Sequence, residues 1–259
     1  MKLAYLEYPG VNKDKPPLVV AHGLFGSARN WRAHSKRMGA GRDAYAVDMR
    51  NHGDSPRDDA NDYFAMAGDL AEMIEGLGGK ASVLGHSMGG KAAMVLALTR
   101  PELVDKLIVA DISPVTYPHS LAHHVLAMQK VDLTKMQRRG DVEEALAADI
   151  SAKDVRTFLA LSADLKADPP KWDLNLDVLL AEMDTISGFP DVDGQFTGPT
   201  LFLTGLNSNY VTPDHRETIL SLFPSATHVG LKGAGHWLHA EKPREFLDAV
   251  TAFLTDEED

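Results

Sequence analysis

The stretch Ala81 to Gly90 reads Ala-Ser-Val-Leu-Gly-His-Ser-Met-Gly-Gly, an apolar run that leads into glycines and then into a helical pattern. Its second half fits G-x-S-x-G, the sharp strand-to-helix turn that exposes a serine hydroxyl. Glycines are needed there because a side chain would collide with the strand or with the following helix. The helix after the turn would point its first N–H groups at a developing negative charge. The stretch therefore predicts a nucleophile at Ser87 and half of an oxyanion site at the backbone of Met88.

A second motif overlaps the first. Gly85 to Lys91 matches the G-x-x-x-x-G-K pattern of a nucleotide-binding P-loop, and the apolar run 107–111 ends in an aspartate that suits a magnesium ion. The P-loop pattern requires Ser or Thr after the lysine to bind the metal, and Ala92 stands there. The nucleotide-binding interpretation therefore lacks its metal-ligating hydroxyl, whereas the strand-turn-helix interpretation has all its residues.

Short apolar runs alternate with helical patterns on both sides of this stretch. The predicted strands are 18–21, 44–48, 107–111, 200–203 and 226–231, and the all-apolar run 18–21 is typical of a strand covered on both faces. This alternation predicts an α/β fold with a mostly parallel central sheet and helices on both faces. Sites in such folds lie beyond the carboxyl ends of the strands. Four residues of interest follow strand ends: Gly23, Asp48, Ser87 and Asp111.

The alternation stops between 114 and 198, where helical patterns occur near 121–129, 143–150, 154–161 and 177–186. Such a length is too great for a loop, so we expect a mostly helical insertion. The predicted organisation is a core domain formed by 1–113 and 199–259, with 114–198 as a cap (lid). Because the insertion follows Asp111, it should cover the edge that carries Ser87, exclude water and shape a substrate pocket.

Composition narrows the class of protein. The net charge of -11 and the pI near 5.4 disfavour a nucleic-acid partner, since phosphate binding needs concentrated Lys and Arg. The chain has no cysteine, which excludes disulfides, Cys-zinc sites and a cysteine nucleophile. No apolar run approaches the length of a membrane span, and residues 1–8 do not resemble a signal peptide. We therefore expect a soluble, cytoplasmic protein, and its oligomeric state is left open.

Several polar residues are better explained by structure than by chemistry. Arg50, His52 and Asp54 occupy a turn-rich loop, and we expect them to hold it by hydrogen bonds and ion pairs. The histidines near the start of the insertion lack a supporting carboxylate or cysteine spacing, so we expect them to be exposed and predict no metal site. These histidines are His119, His123 and His124.

The glycine-bearing loop His22 to Ser27 follows the first buried strand. In this position the backbone N–H of Leu24 would join that of Met88 in facing an oxyanion. The alternative is that the loop is only a tight strand-to-helix turn.

A serine hydroxyl is a weak nucleophile near neutrality and needs an imidazole to accept its proton. His236 follows the last predicted strand in a glycine-flanked loop, late in the chain as the order Ser, Asp, His requires. His239 competes with it but lies where the final helix begins. His86 is adjacent to Ser87 and would point away from it, so a structural role is expected.

These blocks together resemble the α/β-hydrolase fold family over nearly the whole chain, and in particular small bacterial serine esterases and their eukaryotic abhydrolase-domain relatives. The blocks that carry the resemblance are 22–27, 48–53, 85–91 and 233–237. The resemblance implies a carboxylesterase or acyl thioesterase that needs no cofactor. Its substrates would be small-molecule esters or thioesters with short to medium acyl chains, cleaved through an acyl-enzyme. We expect Phe25 and Trp237 to contact the substrate.

The acid of the predicted triad departs from the common pattern. In most of the fold family an aspartate follows the strand that here ends near Thr204, yet that loop has no carboxylate before Asp214, and Ser208 stands where the aspartate is usual. Asp111, at the end of the preceding sheet strand, is the geometric alternative, and the resembling esterases have a matching aspartate. We predict Asp111 rather than Asp214. The alternative role for Asp111 is to anchor the linker into the cap.

The leading hypothesis is therefore a serine hydrolase in which Ser87 attacks, His236 transfers the proton and Asp111 orients His236. The backbone N–H groups of Leu24 and Met88 would stabilise the oxyanion. A second hypothesis keeps the fold but makes the protein a ligand-binding one, with slow or incidental hydrolysis.

Overall fold

The computed structural model describes residues 1–12 and 14–255. The predicted core segments also contain Lys13 and residues 256–259, which lie outside the described residues. The strands of the main sheet are β1 (Tyr5–Tyr8), β2 (Leu18–Ala21), β3 (Ala44–Val47), β4 (Ala81–His86), β5 (Val104–Ala110), β8 (Thr200–Gly205) and β9 (Ala226–Leu231). The helices around this sheet are α1 (Arg32–Met38), α2 (Tyr63–Gly76), α3 (Met88–Thr99), α9 (Arg216–Leu222), α10 (Leu238–Glu241) and α11 (Pro243–Thr255).

The main sheet has the strand order β1-β3-β2-β4-β5-β8-β9. Only β1 runs antiparallel to its neighbour, and every other pairing in this sheet is parallel. The register places Gly85 opposite both Ala21 and Val109, so the carboxyl ends of β2, β4 and β5 lie side by side. The predicted α/β class, with a mostly parallel sheet between helices, is confirmed.

The continuous apolar runs are explained by burial on both faces of the sheet. In β2, Val19 and Ala21 belong to one core cluster, while Leu18 and Val20 belong to the other. Successive strand residues point to opposite faces, so a strand covered on both sides needs apolar residues at every position. Burying one such aliphatic side chain contributes about 1.5 to 3 kcal/mol, which favours this placement strongly.

The helix that follows Ser87 is almost entirely buried. Every residue of α3 from Met88 to Leu98 is buried, and the helix packs on β4, β5 and α2. A helix that is apolar all round requires such cover on all sides. The consequence is a rigid base under the turn that carries Ser87.

Between β5 and β8 lies the predicted insertion. Its helices are α4 (Ala122–Lys130), α5 (Arg139–Leu146), α6 (Lys153–Ala160), α7 (Leu176–Ala181) and α8 (Met183–Ser187). The helical stretch predicted near 177–186 is confirmed, with an interruption at Glu182 that divides it into α7 and α8. A hairpin of β6 (Ala163–Asp164) and β7 (Lys171–Trp172) was not predicted, since two-residue strands are too short to show a period.

Two helices begin in different ways. Asp62 caps α2, because its side chain accepts a hydrogen bond from the Ala65 N–H at 2.8 Å. The chain before α9 forms a 3-10 turn, Pro213–His215. Within residues 1–12 and 14–255, no helix combines the length and the apolar character that crossing a membrane requires.

Candidate active site

The turn between β4 and α3 holds Ser87 in a backbone conformation that few serines adopt, with φ 51° and ψ −119°. A Cβ at Gly85 would lie 2.2 Å from the carbonyl oxygen of Gly89, and a Cβ at Gly89 would lie 2.5 Å from that of Ala21. Real atoms do not approach so closely, so both positions require glycine. The glycines of the motif thus have the steric role that the sequence predicted.

Strained residues gather at the carboxyl edge of the sheet. Phe25, Ser87 and Asp111 have φ values of 65°, 51° and 51°, and they follow β2, β4 and β5. Each such conformation costs on the order of 1 to 3 kcal/mol and persists only where the surroundings impose it. Three strained residues at one edge of the sheet indicate that this edge has a functional role, because such strain lowers the stability of the fold.

The imidazole of His236 is held by Asp111. The Nδ1–H of His236 donates a hydrogen bond to Oδ2 of Asp111 at 2.8 Å, and the carboxylate is fully buried. Two further donors reach the same carboxylate: the Gly205 N–H at 2.9 Å and the Ser208 hydroxyl at 2.5 Å. A buried charge needs such partners. Ser208 therefore supports the acid from the loop where the sequence pattern lacks an aspartate.

The rival acid is not at the site. Asp214 is exposed in the 3-10 turn before α9, and among the described residues it makes no hydrogen bond to His236. The tertiary structure thus brings Asp111, and not Asp214, to the imidazole.

His236 and Ser87 border one cavity, but in this structure no hydrogen bond joins the Ser87 hydroxyl to the ring among residues 1–12 and 14–255. Catalytic hydrogen bonds are often long before substrate binds. The ring of Tyr210 stacks on that of His236, with centroids 4.1 Å apart and an angle of 28° between the planes. Sequence reasoning missed Tyr210, because nothing in its local pattern distinguishes it from other loop tyrosines.

Two buried, neutral histidines hold the loop that follows β2. His22 donates from Nδ1 to the Gly23 carbonyl at 2.8 Å and accepts the Met49 N–H on Nε2 at 3.0 Å. His52 accepts the Phe25 N–H on Nε2 at 3.2 Å. Burial lowers the pKa of His22 and holds the pKa of His52 well below its ordinary value. Each imidazole must be neutral to make these bonds, because a protonated ring has no free nitrogen to accept the N–H of Met49 or of Phe25.

The N–H groups of Leu24 and Met88 face no acceptor in the described part of the chain. Unpartnered donors are normal at a helix N-terminus, where Met88 stands, and they are available to a bound anion. Both residues are themselves buried. The arrangement suits the predicted oxyanion site, with one donor from each of two adjacent strand ends.

The competing histidines have structural contacts. His86 donates from Nε2 to the His236 carbonyl at 2.9 Å, and burial holds its pKa well below the ordinary value. His239 stacks on Trp31 with ring centroids 4.4 Å apart, and burial lowers its pKa to about 3. Neither ring contacts Asp111 within residues 1–12 and 14–255. His236 therefore remains the candidate base.

An apolar cavity of about 240 Å³ opens beside Ser87. Phe25 and Trp237 both border it, as does Phe158 of α6, whose ring lies 5.4 Å from that of Trp237. The insertion therefore supplies part of the wall. An apolar cavity with a few convergent polar groups is typical of a small-molecule site.

A second, smaller cavity of about 40 Å³ also borders Ser87, and its lining includes the buried Lys91. Lys91 is 1% exposed, and its Nζ donates to the carbonyls of Ser187 at 2.9 Å and of Gly188 at the end of α8. The Nζ also lies 4.8 Å from the ring centroid of Tyr117. In the sequence, Lys91 stands within an otherwise apolar helical pattern, but there it attracts attention only as the lysine of the P-loop motif, which Ala92 argues against.

Burial gives Lys91 a testable effect on stability. It lowers the pKa of the amine from 10.5 to about 7, so the unfolded chain binds the proton more tightly than the folded one. Unfolding therefore takes up a proton between about pH 7 and 10.5, and the wild type gains stability as pH rises through that window. We expect its free energy of unfolding to rise relative to Lys91→Met by roughly 1 kcal/mol per pH unit there.

Urea unfolding of both proteins at pH 7.0 and 9.5 measures this difference. The control is Lys36→Met on the exposed surface of α1, which should track the wild type at both values. Parallel behaviour of Lys91→Met and wild type would contradict a buried amine with a lowered pKa.

The loop after β3 is held as predicted. Arg50 makes two hydrogen bonds to Asp69, at 2.7 and 2.8 Å, and the Gly53 N–H donates to the Asp173 carbonyl of the insertion at 2.7 Å. Asp54 pairs with Arg29 at 3.2 Å. These contacts connect the loop to α2 and to the insertion.

The three histidines of the insertion divide between surface and cavity. His119 and His123 are exposed as expected, but His124 is half-buried and borders the larger cavity, which corrects its expected exposure. Burial lowers its pKa to about 4. Among residues 1–12 and 14–255, no group of three or more His, Cys, Asp or Glu side chains is placed to hold a metal ion.

Comparison with known proteins points to one family. The α/β hydrolase fold family matches residues 16–243. The chain is 43% identical over 248 residues to the Mus musculus sn-1-specific diacylglycerol lipase ABHD11, covering 92% of this chain and 81% of that protein. It is 37% identical over 246 residues to the Escherichia coli K12 esterase YbfF, covering 94% of each. A solved marine microorganism esterase superposes with a TM-score of 0.90 at 34% identity, covering 97% of this chain and 99% of that one.

Proposed function

Because the chain belongs to the α/β-hydrolase family, we propose that it is a serine carboxylesterase that cleaves small-molecule esters through an acyl-enzyme. The relatives named esterase and lipase support ester hydrolysis. The observation that carries the residue assignment is the 2.8 Å hydrogen bond from His236 to a buried Asp111 beside the strained Ser87. We propose that Ser87, His236 and Asp111 are the catalytic residues.

In the first half of the reaction, the Ser87 hydroxyl attacks the ester carbonyl carbon while Nε2 of His236 accepts its proton. The carbonyl oxygen becomes an oxyanion that the N–H groups of Leu24 and Met88 receive. His236 then gives the proton to the leaving oxygen, the carbon–oxygen bond breaks and an alcohol departs. Asp111 keeps the Nδ1–H tautomer and stabilises the charged ring.

In the second half, water takes the place of the alcohol. His236 accepts a proton from the water, which attacks the acyl-enzyme carbonyl, and then returns a proton to the Ser87 oxygen as the acid leaves. Removing one oxyanion donor typically costs about 2.7 to 4 kcal/mol of barrier, so the two N–H groups supply a large part of the catalysis.

The proposal extends to three finer points. Acyl thioesters present the same carbonyl to Ser87, so we include them among the substrates. We assign 114–198 as the cap and 1–113 with 199–259 as the core, since the insertion supplies Phe158 to the cavity wall. A chain without cysteine needs no oxidising compartment to fold, which supports a cytoplasmic location.

The competing function is ligand binding with slow or incidental hydrolysis. The missing hydrogen bond between the Ser87 hydroxyl and His236 is the observation in its favour. A fluorophosphonate probe together with p-nitrophenyl butyrate separates the two functions, because the probe needs only an activated serine, whereas turnover needs the complete site.

We expect one label per chain, mapped by mass spectrometry to the peptide containing Ser87, and steady release of p-nitrophenol over many turnovers. Labelling at Ser87 without turnover would favour the binding function. Neither labelling nor turnover, in a folded protein, would overturn the hydrolase proposal.

A further inference from the structure

Two cavities meet at Ser87, and they differ in which catalytic groups border them. Both are bordered by Ser87 and Leu24. Of these two cavities, His236 borders the larger and not the smaller, while Met88 and Lys91 border the smaller and not the larger. The scissile bond of an ester bound at Ser87 therefore lies between two cavities that are lined by different groups.

The chemistry of the leaving oxygen assigns the two sides. A proton passes from His236 to that oxygen, which must lie within hydrogen-bond reach of the ring, about 2.6 to 3.2 Å. The tetrahedral carbon carries four substituents: the Ser87 oxygen, the oxyanion at the Leu24 and Met88 N–H groups, the leaving oxygen and the acyl chain. With the leaving oxygen on the His236 side, the acyl chain is directed to the other side. That side is the smaller cavity.

The smaller cavity sets a limit on acyl length. Its 40 Å³ compares with 240 Å³ for the larger one. One water-sized group needs roughly 10 to 15 Å³ on this measure, so the smaller cavity has room for about three non-hydrogen atoms. Lys91 forms part of its wall, and the Lys91 amine is hydrogen-bonded to the Ser187 and Gly188 carbonyls. A longer chain that reached this part of the wall would have to displace a hydrogen-bonded buried amine.

We propose that the smaller cavity is the acyl subsite and that the larger one receives the leaving alcohol, so that the preferred substrates are short-chain acyl esters of bulky apolar alcohols. The assignment rests on the proposed function and adds the substrate class to it. It also fits the second half of the reaction, because departure of the alcohol empties the cavity that His236 borders, and water enters there.

The wild-type protein gives the first test. Two ester series are compared by kcat/KM: p-nitrophenyl esters of acetic to decanoic acid, and butyrate esters of methanol, benzyl alcohol and naphthylmethanol. We expect activity to fall at least tenfold between butyrate and octanoate, and to rise from the methyl to the aromatic alcohols. The opposite trends, with long acyl chains preferred on small alcohols, would overturn the assignment of cavities while leaving the hydrolase proposal intact.

Matched variants give the second test. Met183 of α8 borders only the smaller cavity and Phe158 of α6 only the larger one. We expect Met183→Ala to move the acyl optimum to hexanoate or octanoate, by at least tenfold in the ratio to butyrate, since one methylene in an apolar pocket changes kcat/KM by about 10-fold or more. Phe158→Ala should leave the acyl optimum in place and reduce the preference for aromatic alcohols.

The assignment would be contradicted if Phe158→Ala moved the acyl optimum and Met183→Ala reduced the preference for aromatic alcohols. Ile112→Val, a milder change at the wall of the smaller cavity, keeps the test usable if Met183→Ala does not fold. Loss of all ester hydrolysis by the wild type would instead refute the proposed function, so the two failures are distinguishable.

Discussion

Replacing Ser87 with alanine is expected to lower kcat for p-nitrophenyl butyrate by roughly 10⁶-fold, the scale seen when the nucleophile of a serine hydrolase triad is removed. The change deletes one oxygen and keeps the Cβ, so the backbone strain at φ 51° is the same in both proteins. The thermal midpoint should therefore stay close to that of the wild type. Steady-state kinetics and a melting curve measure the two effects together.

The control is Ser120→Ala, in the exposed segment before α4, which should keep both activity and fluorophosphonate labelling. Activity of Ser87→Ala within tenfold of the wild type, in a protein with the same melting curve, would remove Ser87 from the mechanism. Labelling that persists in Ser87→Ala would point to a different serine.

Asp111→Asn is expected to lower kcat by about 10⁴-fold, because an amide no longer holds the Nδ1–H tautomer of His236 or stabilises its charged form. The same carboxylate also receives the Gly205 N–H and the Ser208 hydroxyl, so some stability should be lost as well. Kinetics measured well below the melting midpoint separate the two effects.

The decisive comparison is Asp214→Asn, because Asp214 is the first carboxylate after β8, the strand after which the common family pattern places the acid. Its side chain is exposed, and we expect kcat within a few-fold of the wild type. A larger loss for Asp214→Asn than for Asp111→Asn would mean that the loop after β8 rearranges when substrate binds. The assignment of the acid would then be wrong.

Much of this site was predictable because its signals are local. A serine in a strained turn needs glycines at fixed offsets, and strands covered on both faces need unbroken apolar runs. Those rules located Ser87, the strand ends that carry Leu24 and Asp111, and the late loop with His236. Boundaries and short elements were less accurate: the break at Glu182 leaves no signal in the period of apolar residues.

The residues that surround the proposed catalytic groups could not be predicted from the sequence, because their contacts join segments that are far apart in the chain. Tyr210 stacks on His236, and Lys91 lines the smaller cavity, yet both depend on partners distant along the chain. Ser208 was noticed only as the residue that stands where an aspartate is usual. Its hydroxyl donates to the carboxylate of Asp111, which we propose as the acid.

The amino-acid sequence by itself determined the α/β class, the serine in its strand-to-helix turn and the late histidine, because these follow from backbone sterics and from the period of apolar residues. Only the tertiary structure decided which carboxylate meets His236 and that two unequal cavities meet at Ser87. Those outcomes depend on the register of β5 against β8 and on how the insertion packs over the sheet edge. They are distances between segments far apart in the chain, which no local pattern encodes.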